Sequence, residues 1–326
     1  MELRFAGDRR RRPTTVRKSR YSPGVAAPPG APALVCVHGF PTSSIDYWGG
    51  LAHELRSEAE IFTVDFPGYG LSDKPPSPYV YSLYDDARLL VHLITDVWQL
   101  EDYRIVTHDR GSSVGILVVT MLAEAKAPMP ADLVITNGNI YLPLANLTAY
   151  QKALLDDSTS RATAAATTPD MLAAGLGAST FMPPRRTLED AEIAALAECF
   201  AHNDGIQVLP DTIQYLHERA ADETRWLEAL AANPPVDTTL VWGLHDTVAP
   251  LRVANHVWHT YLKDKPGRSR YWVVPGADHY VQCDAPKQLA DILRLTVVGD
   301  PAELQTLGDT PEGPVLVDQS DGDGTG

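Results

Sequence analysis

One stretch of the chain, residues 103–115, reads as an apolar strand that runs into a helix through a turn bordered by small residues. This pattern is typical of the nucleophile elbow, in which a strained turn lifts one side chain above the end of a parallel sheet. Small residues are needed there because the backbones of the strand and the helix approach too closely for large side chains. Residues 107–111 put a carboxylate, that of Asp109, at the raised position. A strand-end aspartate that only caps the next helix would give the same sequence pattern. The choice between a nucleophile and a cap therefore depends on the rest of the chain.

Strand-like and helix-like segments alternate on both sides of this turn. Residues 83–98 carry apolar side chains at the spacing of a helix that faces a core. Apolar runs of strand length, which are typical of strands covered on both faces, occur at 33–37, 61–65, 132–137, 239–243 and 271–274. We therefore predict an α/β fold with a mostly parallel sheet, helices on both faces, and functional residues at the carboxyl ends of the strands.

The alternation defines a core made of residues 32–138 and 237–299. Residues 139–236 are helix-like throughout, with Ala-rich and Thr-rich stretches, and we interpret them as a helical cap inserted over the sheet. Residues 1–31 are rich in Arg, Pro and Gly, so we expect a disordered basic arm. Residues 300–326 are acidic, rich in Gly and without periodicity, so we expect a disordered acidic tail.

Charge and composition exclude several classes of function. The formal net charge of −15 argues against a nucleic-acid partner and favours a monomer or a small homo-oligomer. Three widely spaced cysteines suggest neither a disulfide framework nor a zinc site. No apolar run is long enough to span a membrane, and the basic N-terminus lacks the apolar region of a secretory signal. We therefore expect a cytoplasmic protein that acts on a small-molecule substrate and needs no metal or cofactor.

Two strand ends after the cap supply what a nucleophile at Asp109 would need. Asp246 follows the strand at 239–243, and His279 follows the strand at 271–274. Nucleophile, acid and base then occur in the chain order described for α/β-hydrolases. A single strand-end Asp or His is usually structural, but three in this order are much more specific. The strand before the cap ends in Asn137 and Asn139, which cannot be anions, so Asp246 is preferred as the acid.

From about residue 33 to residue 295 the chain resembles α/β-hydrolases of the epoxide hydrolase and haloalkane dehalogenase branch. Within that branch it is most similar to the mesoderm-specific transcript homologue group. The elbow and the His-Gly loop are specific for the branch but do not identify the substrate. His38 is expected to brace its loop rather than to act in catalysis. The matching stretches are 38–44, 65–75, 108–111, 137–138, 203–205, 214–215, 246–250 and 279–280.

A carboxylate at the elbow implies a particular chemistry. Being anionic without help, Asp109 can displace at a saturated carbon and form an alkyl–enzyme ester. His279 then activates a water that attacks this ester, while Asp246 holds the tautomer of the imidazole. The oxyanion formed on Asp109 needs donors, for which the backbone N–H groups of Phe40 and Arg110 are the candidates.

Epoxide hydrolysis and dehalogenation differ in the leaving group and therefore in the residues they need. An epoxide leaves as an alkoxide and needs a proton, which a tyrosine hydroxyl can donate. The resemblance to epoxide hydrolases implies two cap tyrosines, and the candidates are Tyr150 and Tyr215, with Tyr141 in reserve. The same rings are also consistent with simple aromatic packing in the cap.

A halide needs N–H donors instead of a proton. Haloalkane dehalogenases have an Asn and a Trp where this chain has Phe40 and Arg110, which counts against that activity. Arg110 is similar to an arginine with which fluoroacetate dehalogenases bind the substrate carboxylate, but Ser113 stands at the position of their second arginine. Substrate contacts are assigned to Arg110, Trp48 and Tyr141. The leading hypothesis is hydrolysis of an epoxide to a diol; the alternatives are a haloalkane or haloacid dehalogenase and a non-catalytic binding protein.

Overall fold

A computed structural model describes residues 27–179, 190–232, 236–298 and 313–321, together with three short strands before residue 27. Eight of the ten strands in these described residues form one sheet, and the first two pair only with each other. The strands are β1 (Glu2–Leu3), β2 (Thr14–Thr15), β3 (Arg17–Tyr21), β4 (Ala33–Val37), β5 (Glu60–Asp65), β6 (Tyr103–His108), β7 (Asp132–Thr136), β8 (Asp237–Gly243), β9 (Ser269–Val274) and β10 (Val315–Ser320).

The strand order in the large sheet is β10-β9-β8-β7-β6-β4-β5-β3. The six inner strands, β4 to β9, are all parallel to one another, whereas β3 and β10 pair antiparallel at the two edges. The carboxyl ends of β6, β7, β8 and β9 therefore lie side by side at one edge of the sheet. This arrangement confirms the predicted α/β fold with a mostly parallel sheet.

Helices cover the sheet and make up most of the described part of the segment between β7 and β8, which we call the helical insertion (residues 137–236). No helix in the described part of the chain is both long enough and apolar enough to cross a membrane. Short 3₁₀ segments lie at Leu142–Leu144 and His202–Val208, and π-helical turns follow two helices at Leu93–Val97 and Trp258–Leu262. The α-helices are α1 (Ile45–Trp48), α2 (Leu51–Leu55), α3 (Leu83–His92), α4 (Arg110–Ala125), α5 (Ala149–Leu155), α6 (Ser160–Ala166), α7 (Pro169–Ser179), α8 (Asp190–Ala201), α9 (Leu209–Thr212), α10 (Tyr215–Ala232), α11 (Leu251–Val257), α12 (Val281–Asp284) and α13 (Pro286–Val298).

Two apolar cores lie on the two faces of the sheet. Because successive residues of a strand point to opposite faces, β4 divides its side chains between them: Val35 and Val37 join one core, while Leu34 and Cys36 join the other. The first core also includes side chains from α3, α4 and α10, so the helical insertion packs against the same side as the elbow helix. Cys36 is fully buried, as the sequence predicts for a small apolar residue, and burial raises the pKa of its thiol.

Both chain ends contribute an edge strand, which corrects the expectation of a wholly disordered arm and tail. Residues Arg17–Tyr21 pair with β5, and residues Val315–Ser320 pair with β9. An edge strand offers unpaired N–H and C=O groups to any extended segment that reaches it, so neither segment needs a continuous apolar run. In β10, Leu316 packs against the second core and Asp318 accepts a hydrogen bond from the Trp258 indole N–H at 3.0 Å. The remainder of the predicted arm before residue 27 and of the predicted tail lies outside the described residues.

Candidate active site

The turn between β6 and α4 consists of Asp109 alone, at φ 47° and ψ −116°. This is a strained conformation for a residue with a side chain, and such strain is characteristic of functional sites. Two glycines, Gly39 and Gly111, lie beside this turn because there is no room for a side chain. A Cβ at Gly111 would lie 2.5 Å from the carbonyl oxygen of Val37. A Cβ at Gly39 would lie 2.8 Å from the Cβ of Asp109. The local geometry is that of an elbow with a carboxylate at its tip.

The two oxygens of the Asp109 carboxylate have different surroundings. Oδ1 accepts a hydrogen bond from the backbone N–H of Phe40 at 3.0 Å. Oδ2 is buried and has no hydrogen-bond donor among the described residues. It lies 3.7 Å from Nε2 of His279. One oxygen is therefore anchored, and the other is available to an incoming group beside the imidazole.

His279 is held from its other side by Asp246. Its Nδ1 donates to Asp246 Oδ2 at 2.8 Å, and Asp246 Oδ1 accepts from the backbone N–H groups of Val248 at 2.7 Å and Ala249 at 2.9 Å. Burial lowers the pKa of His279, but the charges of Asp246 and Asp109 outweigh it and raise that pKa to about 9. The pKa of Asp246 is lowered in spite of burial, chiefly by His279. The structure thus brings the three sequence-predicted residues together in the order acid, imidazole, elbow carboxylate.

Asn137 contributes to this site in a way that the sequence does not reveal. Its amide nitrogen donates to Asp246 Oδ2 at 2.7 Å and to the carbonyl of Asp278 at 3.3 Å, and its oxygen accepts from the backbone N–H of Gly243 at 3.1 Å. An asparagine cannot be the acid, but at the end of β7 it is next to the strand that carries the acid. The predicted pairing of its strand with the strand that precedes Asp246 is the signal that could have identified this contact.

The His38 side chain braces the loop that presents the Phe40 N–H group. His38 Nδ1 donates to the carbonyl of Gly39 at 2.8 Å, and its Nε2 accepts from the backbone N–H of Phe66 at 3.2 Å. Burial lowers the pKa of His38 to about 4, so the imidazole is neutral and can accept through one nitrogen. These bonds agree with the structural role expected from the sequence.

Arg110 is buried beside the elbow and pairs with a carboxylate of the protein itself. Its Nη2 donates to Asp86 of α3, and its guanidinium carbon lies 5.0 Å from the ring centroid of Tyr69. Its Nε and Nη1 have no hydrogen-bond partner within the described part of the chain. Burial raises the pKa of Asp86 to about 6, against the opposing effect of Arg110. The sequence identified Arg110 but not Asp86 or Tyr69.

Tyr215 reaches the elbow from the first turn of α10. It is buried, its ring centroid lies 6.0 Å from that of Phe40, and its hydroxyl has no partner among the residues described. One helical turn later, Arg219 donates from Nε to Ser113 Oγ at 3.0 Å. Arg219 was not predicted from the sequence, although side chains four residues apart on a helix are neighbours.

The other sequence-predicted contacts lie further from the elbow. Tyr150 lies at the insertion and donates to Thr167 Oγ1 at 3.3 Å. Tyr141 packs against His256 with ring centroids 4.1 Å apart. Trp48 donates to Thr63 Oγ1 at 3.3 Å and borders a second cavity of about 240 Å³ between α1 and α8.

A cavity of about 350 Å³ opens beside His279, between the strand ends and helices α5 to α7. Tyr150 borders it, whereas Asp109, Arg110, Tyr215, Tyr141 and Trp48 are not among its described lining residues. The substrate contacts expected of Tyr141 and Trp48 therefore stay predictions. The described lining contains no Asp, Glu, Lys or Arg, and the described chain holds no group of three metal-ligating side chains. The lining residues are Phe40, Pro41, Thr148, Tyr150, Gln151, Thr167, Met171, Leu172, Gly175, Leu176, Val248, His279 and Tyr280.

A family model for alpha/beta hydrolases matches residues 34–292, and the chain belongs to this family. LipZ of Mycobacterium tuberculosis is 31% identical over 289 residues, which cover 86% of this chain and 92% of LipZ. The mesoderm-specific transcript homolog protein of Bos taurus is 25% identical over 264 residues, or 79% of this chain and 76% of that protein. These matches confirm the family resemblance seen in the sequence.

Solved structures show the same fold at low sequence identity. An alpha/beta hydrolase fold protein from Burkholderia ambifaria superposes with a TM-score of 0.67 at 21% identity, covering 90% of this chain and 98% of that chain. Cfl2 from Burkholderia cenocepacia gives a TM-score of 0.70 at 17% identity, covering 87% of this chain and 92% of that chain. These superpositions establish the fold.

Proposed function

We propose that this α/β hydrolase uses Asp109 as a nucleophile and converts an epoxide and water to a diol through an alkyl–enzyme ester. The observation that supports this most directly is the asymmetry of the Asp109 carboxylate. Oδ1 is anchored by the Phe40 N–H, whereas Oδ2 has no donor among the described residues and faces His279. A carboxylate oxygen whose lone pairs are not engaged can displace at carbon without a base to activate it.

In the first step Oδ2 of Asp109 bonds to an epoxide carbon while the bond from that carbon to the ring oxygen breaks. The leaving oxygen is an alkoxide and needs a proton, which the unpartnered hydroxyl of Tyr215 is proposed to supply. Tyr150, whose hydroxyl donates to Thr167, is the second candidate for this contact. Oδ1 keeps its bond to Phe40 and becomes the carbonyl oxygen of the ester.

In the second step His279 Nε2 takes a proton from a water, and the resulting hydroxide adds to the ester carbon of Asp109. The negative charge then develops on Oδ1, where the Phe40 N–H already lies at 3.0 Å. The backbone N–H of Arg110 is the proposed second donor, as in the usual oxyanion hole of this fold. Asp246 stabilises the imidazolium. Collapse of the intermediate releases the diol and restores the carboxylate.

The alternatives fit the site less well. A dehalogenase of haloacids would bind the substrate carboxylate to Arg110, but that guanidinium already pairs with Asp86. The described lining of the cavity has no Asp, Glu, Lys or Arg, so apart from the imidazole of His279 it offers no charged group to an ionic substrate. A non-catalytic binding protein would not require an ordered acid, imidazole and carboxylate. We further propose a cytoplasmic monomer or small homo-oligomer that acts on small molecules.

Replacing the base should trap the ester. A His279→Gln variant incubated with aryl and long-chain aliphatic epoxides is expected to gain the full mass of the epoxide, measured by intact-protein mass spectrometry. An alkyl halide would add only its alkyl group, so the mass also identifies the leaving group. Adding Asp109→Asn to the same variant should remove the adduct. Absence of any adduct across the panel, or an adduct that persists without Asp109, would refute the proposal.

A further inference from the structure

Arg219 is a fully buried cation without a hydrogen-bonded acidic partner among the described residues. Its relative exposure is 0%, and its one hydrogen bond in that part of the chain goes from Nε to the Ser113 hydroxyl. Nη1 and Nη2 have no partner there. Glu223, one turn further along α10, accepts from the backbone N–H of Leu142 at 2.8 Å, and the charge of Arg219 partly offsets the burial that raises the pKa of its carboxyl. A buried charge that is not fully paired lowers the stability of the fold. We therefore look for a function of this guanidinium.

Two guanidinium groups contact the ring of Tyr215. The Arg219 carbon Cζ lies 5.0 Å from the ring centroid, and that of Arg110 lies 5.3 Å from it. The charged or titratable groups that act on the Tyr215 hydroxyl are Asp109, Arg219, Tyr69 and Arg110. Burial and then Asp109 raise the pKa of Tyr215, whereas the two arginines act in the opposite direction.

We propose that Arg219, together with Arg110, stabilises the phenolate that Tyr215 becomes when it gives its proton to the leaving oxygen. This inference rests on the proposed function and adds a positioning residue to it, because Arg219 acts through Tyr215. The two cations lie close to the ring in a buried environment, where charge–charge interactions are stronger than in water. No reorganisation is needed when the negative charge arrives, which is the condition for effective electrostatic stabilisation.

The movement of charge during the reaction favours this role. Alkylation neutralises the carboxylate of Asp109, so the nearest anion that opposes ionisation of Tyr215 disappears as the proton leaves. The negative charge passes from Asp109 to the leaving oxygen and then to Tyr215, and the two arginines remain in place. The attacking water later supplies both protons: one ends on the second hydroxyl of the diol, and the other returns to Tyr215 by way of His279.

A double-mutant cycle on ester formation tests this coupling. In the His279→Gln protein, the rate of ester formation from one epoxide is measured for Arg219→Met, Tyr215→Phe and the combined variant. Loss of general-acid assistance typically costs about 10²- to 10⁴-fold, and we expect Arg219→Met to cost about 10²-fold while Tyr215 is present. In the Tyr215→Phe protein the same change should cost less than about threefold, because no phenolate forms there.

Matched variants control for folding. Arg225→Met removes an exposed arginine from the same helix, one that hydrogen-bonds Tyr84, and should leave the rate unchanged. Arg219→Lys keeps a cation and should restore much of the rate. Where thermal unfolding shows that Arg219→Met does not fold, Ser113→Ala replaces it in the cycle, since it removes the hydrogen bond that holds Arg219.

Each outcome is distinct. An equal loss with and without Tyr215, or no loss at all, would overturn the role of Arg219 while ester formation by Asp109 still stands. Absence of the ester in the His279→Gln parent itself would instead refute the proposed function.

Discussion

The strand ends of the core and the helical insertion meet at the same site, but their polar groups differ in how fully they are hydrogen-bonded. Both oxygens of Asp246 are occupied, by His279, Asn137 and two backbone N–H groups. On the insertion, the Tyr215 hydroxyl and two nitrogens of Arg219 have no partner among the described residues. The acid of the core is therefore fully hydrogen-bonded before substrate arrives, whereas these groups of the insertion, like Oδ2 of Asp109 in the core, are not.

This difference suggests a division of labour. In the proposed mechanism, neighbouring strand ends hold the atoms that form and break the ester in place regardless of the substrate. The insertion would contribute the proton donor Tyr215 and the cation Arg219, and it supplies most of the described lining of the cavity, so it would set which substrate is accepted. Changes in the core should abolish turnover, and changes in the insertion should alter selectivity.

The largest effect is expected from Asp246→Asn, which changes the acid at the strand ends of the core. The amide cannot accept from all the groups that Asp246 satisfies, and it no longer fixes the imidazole tautomer of His279. We expect turnover to fall about 10⁴-fold while ester formation persists, so the ester should accumulate and be visible by intact-protein mass. Asp204→Asn is the matched control, since Asp204 is exposed and adopts φ 55°, which asparagine tolerates. Normal turnover in Asp246→Asn would contradict the role assigned to the acid.

The same comparison explains how far the sequence could go. Asp109, Asp246 and His279 were found because each follows an apolar strand within a few residues, and parallel strands bring their carboxyl ends to one edge. Arg219 and Asp86 were not found because their partners belong to other helices. Helical periodicity indicates which face of α10 or α3 is buried, but it does not say which side chain of α4 that face will contact.

Two other features could not be predicted from the sequence, for a related reason. Trp48 belongs to a helix of four residues, too short for periodicity to show its direction, and it turns toward Thr63 and the second cavity. The edge strands β3 and β10 were not predicted from the sequence because an edge strand needs backbone pairing on one side only. Their sequences are charged or alternating, which resembles a solvated arm or tail when read without the sheet beside them.

An intermediate effect should appear in the pH dependence of the two half-reactions. With Asp109 ionised, the pKa of His279 is raised to about 9, so the resting imidazole is protonated below that pH. Alkylation neutralises Asp109 and removes one of the charges that raise this pKa. Ester hydrolysis needs the neutral imidazole as base, so its rate should rise with pH and level off at an apparent pKa below 9.

Single-turnover measurements between about pH 6 and pH 10 would separate the two steps. We expect about a tenfold increase in hydrolysis per pH unit on the acid side, since the fraction of neutral imidazole grows in that proportion. Ester formation does not use the base and should not show this rise. Formation and hydrolysis with the same pH dependence would mean that His279 does not act in the second step alone.

The smallest effect is expected on the insertion side, from Gly175→Leu. Gly175 lies on α7 and borders the cavity, and a Cβ built there meets nothing within 4 Å. The added side chain should therefore occupy space meant for substrate without straining the fold, and loss of a helical glycine also favours the helix. We expect kcat/KM to fall about tenfold for long-chain epoxides, mainly through KM, and to stay within about twofold for the shortest ones. Ala174→Leu is the matched control, because Ala174 is the exposed neighbour and does not belong to the described lining. Equal losses for long and short substrates, or no loss for either, would mean that α7 does not set substrate length, and the division of labour would then rest on Tyr215 and Arg219 alone.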